Sequence, residues 1–91
     1  MQNVKIKKIH FAPRFFRSFK KMPKNIQLLA KKKDEIFRTN PFDVQLHTHK
    51  LKGVLLGIWS YSINYQYRIL FRFLKSDEVL YYDIGTHEVY Q

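Results

Sequence analysis

The stretch Trp59-Ser-Tyr-Ser-Ile-Asn-Tyr-Gln-Tyr-Arg-Ile-Leu-Phe-Arg-Phe73 decides the fold, because it contains two runs in which apolar residues alternate with polar ones. Strict alternation of aromatic and β-branched residues is typical of half-buried strands, and a polar link near Asn64 predicts an antiparallel hairpin. The face expected to be buried carries Leu55, Trp59, Tyr61, Ile63, Tyr65, Tyr67, Ile69, Phe71 and Phe73. The opposite face carries Ser60, Ser62, Arg68 and Arg72. We interpret this polar face as the floor of a phosphate-binding site.

The segments around the hairpin complete an α/β pattern. Alternating lysines and apolar residues predict a first strand over residues 4–9, and apolar residues at helical spacing predict two helices beginning near Pro13 and Pro23. Pro41 ends the second helix, because the residue before a proline avoids the α region. Residues 42–52 are predicted to be a loop and residues 79–84 a buried last strand. The length predicts one domain over residues 1–91, with the order β-α-α-β-β-β and the helical hairpin packed on a mainly antiparallel, curved sheet.

Composition excludes several classes of site. The chain contains no cysteine, which excludes disulfides, thiolate metal ligands and a cysteine nucleophile. Its longest apolar run, residues 54–59, is too short to cross a bilayer, and the basic amino-terminal residues lack the apolar core of a signal peptide. We therefore expect a cytoplasmic protein that has no membrane partner.

Positive charge is concentrated in the helical part of the chain. Residues 1–38 contain 12 lysines and arginines against two acidic residues, whereas residues 39–91 contain five of each kind. Such an asymmetry predicts a polyanionic partner, and Lys31, Lys32 and Lys33 are candidate RNA-binding residues within the basic part. Lys50 and Lys52 of the predicted loop 42–52 are further candidate RNA-binding residues. On the second helix, Lys31, Lys32 and Asp34 are expected to face water.

Three residues suggest a site for RNA cleavage. If the predicted strands are antiparallel neighbours, His49 and His87 lie at the same end of the sheet, on either side of Arg68. One imidazole can then accept the proton of a 2′-hydroxyl, the guanidinium can neutralise the phosphorane, and the other imidazole can protonate the leaving oxygen. The alternative of a metal site made by His47, His49 and His87 is disfavoured, because no acidic residues are evident to support it. No cofactor is expected.

The ordered set of short motifs resembles the RelE/StbE branch of bacterial toxin–antitoxin toxins. The motifs are His49-Lys-Leu-Lys-Gly53, Trp59-Ser-Tyr-Ser-Ile63, Tyr67-Arg-Ile-Leu-Phe71 and Asp83-Ile-Gly-Thr-His-Glu-Val-Tyr90, preceded by Phe15-Phe-Arg and Lys20-Lys-Met-Pro23. The resemblance spans essentially the whole chain. It implies a RelE-like α/β fold, metal-independent cleavage of mRNA, in many members on the ribosome, and inhibition by an acidic antitoxin protein.

By position, Arg68 matches the phosphate-contacting arginine of the family, His49 and His87 match the paired histidines of YafQ-like members, and Tyr90 matches a carboxy-terminal aromatic residue. Ser60 and Ser62 stand where RelE has lysines, so the general base of RelE does not carry over. His49, or the nearby Lys50 or Lys52, must then supply that function. Two alternatives remain open: a ParE-like toxin that inhibits gyrase, and a non-catalytic basic RNA-binding protein.

Overall fold

A computed structural model describes residues 5–53 and 57–86 of the chain. Its elements are β1 (Lys8–Phe11), α1 (Pro13–Lys21), α2 (Lys24–Thr39), a 3₁₀ helix (Val44–Leu46), β2 (His49–Lys50), β3 (Trp59–Ser62), β4 (Tyr67–Lys75) and β5 (Glu78–Thr86). They form one five-stranded sheet in the order β1-β5-β4-β3-β2. Strands β2 to β5 pair antiparallel, and β1 pairs parallel with β5. Among the described residues, no helix is long and apolar enough to span a membrane.

The two helices form where the proline positions predict them. Pro13 occupies the first turn of α1, where its missing N–H removes no hydrogen bond, and α2 ends at Thr39, two residues before Pro41. The turn between the helices is fixed by Gln27, whose Nε2 donates to the carbonyl oxygens of Phe19 at 3.2 Å and Met22 at 3.0 Å. The predicted helical hairpin is confirmed.

Both helices cover one face of the sheet and enclose the core there. Phe37 of α2 is fully buried, with its ring stacked on Tyr61 at 4.7 Å and edge-on to Phe71 at 4.8 Å between centroids. Other buried core residues are Phe15, Ile26, Ala30, Leu46, Ile63, Ile69, Val79, Tyr81 and Ile84. The predicted α/β architecture, with a helical hairpin on a mainly antiparallel sheet, is confirmed.

A chain of polar side chains crosses this core. The Tyr61 hydroxyl lies 2.9 Å from the Tyr81 hydroxyl, which donates to Asp34 Oδ1 at 2.6 Å, and Arg38 Nε donates to Asp34 Oδ2 at 2.9 Å. Burial raises the pKa of both tyrosines and keeps them neutral. The prediction that Asp34 only faces water is therefore wrong, since its carboxylate joins α2 to the sheet.

Several strand boundaries differ from the prediction, including the last strand, which runs from Glu78 to Thr86 rather than over residues 79–84. The first strand lies at Lys8–Phe11 rather than residues 4–9, because it pairs with β5 in parallel register. The predicted loop 42–52 contains the 3₁₀ helix and the two-residue strand β2. Tyr65, expected on the buried face, is 89% exposed at the β3–β4 turn, because β4 begins only at Tyr67. Leu55 lies outside the described residues.

The polar face of the hairpin is more enclosed than its residue types suggest. Ser60 is fully buried and Ser62 is 6% exposed, although both were expected to be presented on an open face. Leu70 and Asp83, which pair with each other across β4 and β5, are buried beside Ser60. Arg72 remains exposed on this side.

Candidate active site

A polar cleft of about 450 Å³ opens where the β3–β4 turn meets the 3₁₀ helix and the middle of α2. Separate segments of the chain line it, with Lys33, Gln45, His47, His49, Ser62, Ile63, Asn64, Tyr65 and Arg68. Antiparallel pairing explains the arrangement, because the beginning of β2 and the beginning of β4 both lie beside the end of β3. The cleft brings the predicted residues His49 and Arg68 together.

Arg68 is fixed in this cleft by the sheet and by a serine. It lies directly opposite Ser62 in the β3–β4 register, and its Nη1 donates to Ser62 Oγ at 3.0 Å. Arg68 Nε is buried and has no hydrogen-bond partner among the described residues. A half-buried guanidinium held along one edge retains donors on Nη2 for an acceptor in the cleft. A guanidinium held in this way can donate to an anion that enters the cleft.

His49 has a defined tautomer. Its Nδ1 lies 2.9 Å from the carbonyl oxygen of His47, and because a carbonyl can only accept, Nδ1 carries the proton. The lone pair of the neutral ring is then on Nε2, which is available to accept a proton. His47 positions this carbonyl through its left-handed backbone, with φ of 51°, at the end of the 3₁₀ helix. The side chains of both histidines are exposed in the cleft.

The predicted RNA-binding lysines lie on different surfaces of the protein. Lys33 lines the polar cleft, whereas Lys31 lines an apolar groove on the other side of α2. Lys50 pairs with Trp59 in the β2–β3 register, so it points away from the sheet face that carries His49. Lys32 and Lys52 are exposed and line neither cavity. Of the five lysines, Lys33 is the one that the fold brings to the cleft.

His87 and Tyr90 lie outside the described residues, so their predicted roles stay predictions. Within the described residues, β5 passes beside Arg68, because Gly85 lies opposite Arg68 in the β4–β5 register. The three-histidine metal site also includes His87 and stays open for that reason. Within residues 5–53 and 57–86, no group of three His, Cys, Asp or Glu side chains comes together in a way that could hold a metal ion.

Sequence reasoning missed several parts of the cleft. The sequence patterns suggest His47 only as a metal ligand and indicate no role for Gln45 or Tyr65 at the site. One feature of the sequence does indicate that Tyr65 lies in a turn. Asn64 precedes it, and asparagine favours turns in which its side chain accepts backbone N–H groups. The burial of Ser62 had no local signal, because it depends on the neighbouring strands.

The second surface is the apolar groove, with a volume of about 190 Å³. It lies between β1, α1 and α2 and is lined by Phe11, Phe15, Phe16, Phe19, Ala30, Lys31, Asp34, Ile69 and Tyr81. Phe11 is 37% exposed and Phe16 is 48% exposed, with 5.1 Å between their ring centroids. The groove therefore exposes aromatic surface beside a strongly basic helix.

Two helices on one face of a mixed five-stranded sheet form a RelE-like fold, which this chain shares with solved structures of toxins from toxin–antitoxin systems. Solved structures of such toxins superpose on nearly the whole chain. The RelBE2 toxin–antitoxin complex of Mycobacterium tuberculosis is similar with a TM-score of 0.76 at 19% identity, covering 94% of this chain and 98% of that one. The Escherichia coli DinJ–YafQ complex gives a TM-score of 0.71 at 15% identity, covering 89% of this chain and 92% of that one.

A YoeB/ParE toxin from Agrobacterium tumefaciens gives a TM-score of 0.71 at 15% identity, covering 88% of this chain and 98% of that one. No protein-family model matches the chain, and no curated protein sequence matches it significantly. The similarity confirms the RelE-like fold that the motifs predicted.

Proposed function

We propose that this protein is the toxin of a type II toxin–antitoxin module and acts as a metal-independent endoribonuclease on mRNA, on the ribosome in the cytoplasm. The observation that carries the proposal is the placement of Arg68 and His49 in one cleft, with Ser62 holding the guanidinium. The RelE-like fold supports it, because structures with this fold include toxins in complex with antitoxins.

The proposed reaction is attack of a 2′-oxygen on the adjacent phosphorus. His49 accepts the 2′-hydroxyl proton through Nε2, consistent with the proton on its Nδ1. Arg68 stabilises the charge on the phosphorane, and Lys33 adds positive charge to the same cleft. His87 is proposed to protonate the departing 5′-oxygen. The P–O5′ bond breaks, which leaves a 2′,3′-cyclic phosphate and a 5′-hydroxyl.

Single-turnover cleavage of RNA in the presence of a chelator, with and without ribosomes, tests the activity. Arg68→Ala should slow the chemical step by about 10²–10³, the scale for losing one preorganised donor. Arg68→Lys should restore little, because an ammonium cannot both bond Ser62 and present a second planar donor. Arg17→Ala is the matched control, since Arg17 is an exposed arginine of α1 that does not line the cleft.

The pH dependence separates the proton-transfer roles. His87→Ala should slow cleavage by roughly 10²–10⁴ and remove one limb of the pH–rate profile. A 2′-deoxy nucleotide at the scissile position should block the reaction, because it lacks the nucleophile. Near-wild-type rates for both Arg68→Ala and His87→Ala would contradict the ribonuclease proposal and favour the gyrase-inhibiting alternative.

The proposed protein partner is an acidic antitoxin whose helix occupies the apolar groove. Exposed Phe11 and Phe16 provide apolar contacts, and the lysines of residues 1–38 provide charge complementarity. Phe16→Ser should weaken binding of the antitoxin by about ten-fold or more, the effect of truncating an interface aromatic. Leu28→Ser is the matched control, because Leu28 is a 56% exposed helical residue outside the groove.

Rising salt should weaken the same complex, because it screens exposed charges. Equal loss of affinity in Phe16→Ser and Leu28→Ser would contradict binding in the groove. Affinity unchanged between low and high salt would contradict the electrostatic contribution. Both quantities can be measured by titrating labelled antitoxin with the purified chain.

A further inference from the structure

Tyr65 is an exposed aromatic residue at the edge of the polar cleft. Its side chain lies in the β3–β4 turn, is 89% exposed, and lines the same cavity as Arg68 and His49. Within the described part of the chain, its ring contacts no other aromatic ring and makes no hydrogen bond. Its role is therefore not to pack in the core, although the alternating sequence predicted that role.

The backbone that carries Tyr65 is held by specific hydrogen bonds. Asn64 Oδ1 accepts from the backbone N–H groups of Gln66 at 2.9 Å and Tyr67 at 2.8 Å, and Ile63 N donates to Tyr67 O at 2.9 Å. Such an Asx turn fixes the residue that it encloses. The ring is thus presented to solvent from a constrained position, which lowers the entropic cost of binding a ligand.

We propose that Tyr65 stacks on an unpaired base of single-stranded RNA, beside the phosphate that Arg68 contacts. This inference rests on the proposed function and adds a base-binding position to it. Tyr65 and Arg68 are three residues apart, so their Cα atoms are separated by at most about 11 Å. An aromatic face next to a cationic cleft is the usual arrangement for binding single strands, because every base has a π-face that can stack.

Stacking of this kind has defined consequences for specificity. Tyr65 should prefer an accessible, unstacked base over one inside a duplex, and it should discriminate weakly among the four bases. Because the ring contacts a base rather than the reacting phosphate, its loss should raise KM and the dissociation constant far more than it lowers kcat.

Binding to a short single-stranded RNA with a 2′-O-methyl group at the scissile position measures this without cleavage. Tyr65→Ala should weaken binding by about 5- to 150-fold, the range for loss of one base–aromatic stack. Tyr65→Phe should bind nearly as well as the wild type, and Tyr65→Leu should behave like Tyr65→Ala. Phe42→Ala is the matched control, since Phe42 is a 55% exposed aromatic residue that lines neither the cleft nor the groove.

A series of RNAs with one abasic position each locates the stacked base. One abasic position should weaken binding to the wild-type chain and should cause no further loss in Tyr65→Ala. Wild-type affinity in Tyr65→Ala, or equal affinity of Tyr65→Phe and Tyr65→Ala, would overturn the proposal. If one abasic position weakens binding in this way but RNA is never cleaved, the stacking of Tyr65 on a base is supported and the ribonuclease proposal fails. If the wild-type chain binds no RNA, both fail.

Discussion

Tyr81→Phe tests the polar chain that joins α2 to the sheet. The Tyr81 hydroxyl donates to Asp34 at 2.6 Å, so the Tyr61 hydroxyl must donate to Tyr81 across the remaining 2.9 Å. Removing the Tyr81 hydroxyl breaks both bonds and leaves the Tyr61 hydroxyl without its acceptor, although Tyr61 is fully buried. Removing the Tyr61 hydroxyl instead breaks only the bond between the two tyrosines.

The two substitutions should lower the free energy of unfolding by different amounts. A hydrogen bond to a charged group contributes about 1.5–3 kcal/mol, and an unsatisfied buried group costs about 1–3 kcal/mol. The Asp34 side chain is 24% exposed, so water can replace part of the lost bond. We therefore expect Tyr81→Phe to lower the free energy of unfolding by about 3–4 kcal/mol, and Tyr61→Phe by about 0.5–1.5 kcal/mol.

Urea denaturation of both single variants and the double variant measures these changes. The double variant has no unsatisfied Tyr61 hydroxyl, so its loss should be smaller than the sum of the single losses by about 1–3 kcal/mol. Equal single losses, or strict additivity, would refute the proposed direction of the hydrogen bonds. Similar slopes of free energy against urea concentration serve as the control for an unchanged denatured state.

Three further predictions concern pH, charge and the turn. Burial raises the pKa of Tyr61 and Tyr81, so the free energy of unfolding should be highest below about pH 10 and should fall above it. Urea denaturation across this pH range should show a smaller fall in Tyr61→Phe, which has one buried tyrosine fewer. Lys33→Gln should weaken RNA binding more than Lys32→Gln in a salt titration, since only Lys33 lines the cleft. Asn64→Ala should lower the free energy of unfolding by roughly 1–2 kcal/mol in the same assay, because two backbone N–H groups lose their acceptor. An unchanged value for any of these variants would contradict the corresponding reasoning.

Local patterns predicted the helices and the central hairpin well. Pro13 and Pro41 act on the backbone within one or two residues of their own positions, so their effect is visible in the sequence. The alternation along β4 also holds over most of its length, since Ile69 and Phe71 are buried on the helix side. The same alternation placed Arg68 on the opposite face, where the structure has it paired with Ser62.

Tertiary pairing determined what the local patterns missed. Asp34 has the residue type of a solvated helix position, and only the approach of Tyr81 from β5 gives it a buried partner. Strand β2 is two residues long, which is too short for any alternation to be visible, and it exists because His49 pairs with Ser60. Tyr65 continues the apolar alternation, but the turn made by Asn64 turns it out of the sheet.

The residues of the candidate site therefore differ in how far their positions could be predicted from the sequence. Arg68 follows from strand periodicity alone, because the face of a strand residue is set by counting in twos. The role proposed for His49 depends on the His47 carbonyl, which accepts from Nδ1 of His49. The left-handed backbone of His47 that places this carbonyl could not be predicted from the sequence. Ser62 shows what could not be predicted: its hydroxyl accepts from Arg68 only because the β3–β4 register places the two residues opposite each other. A shift of one residue in that register would move Ser62 to the core face and leave the guanidinium without its support.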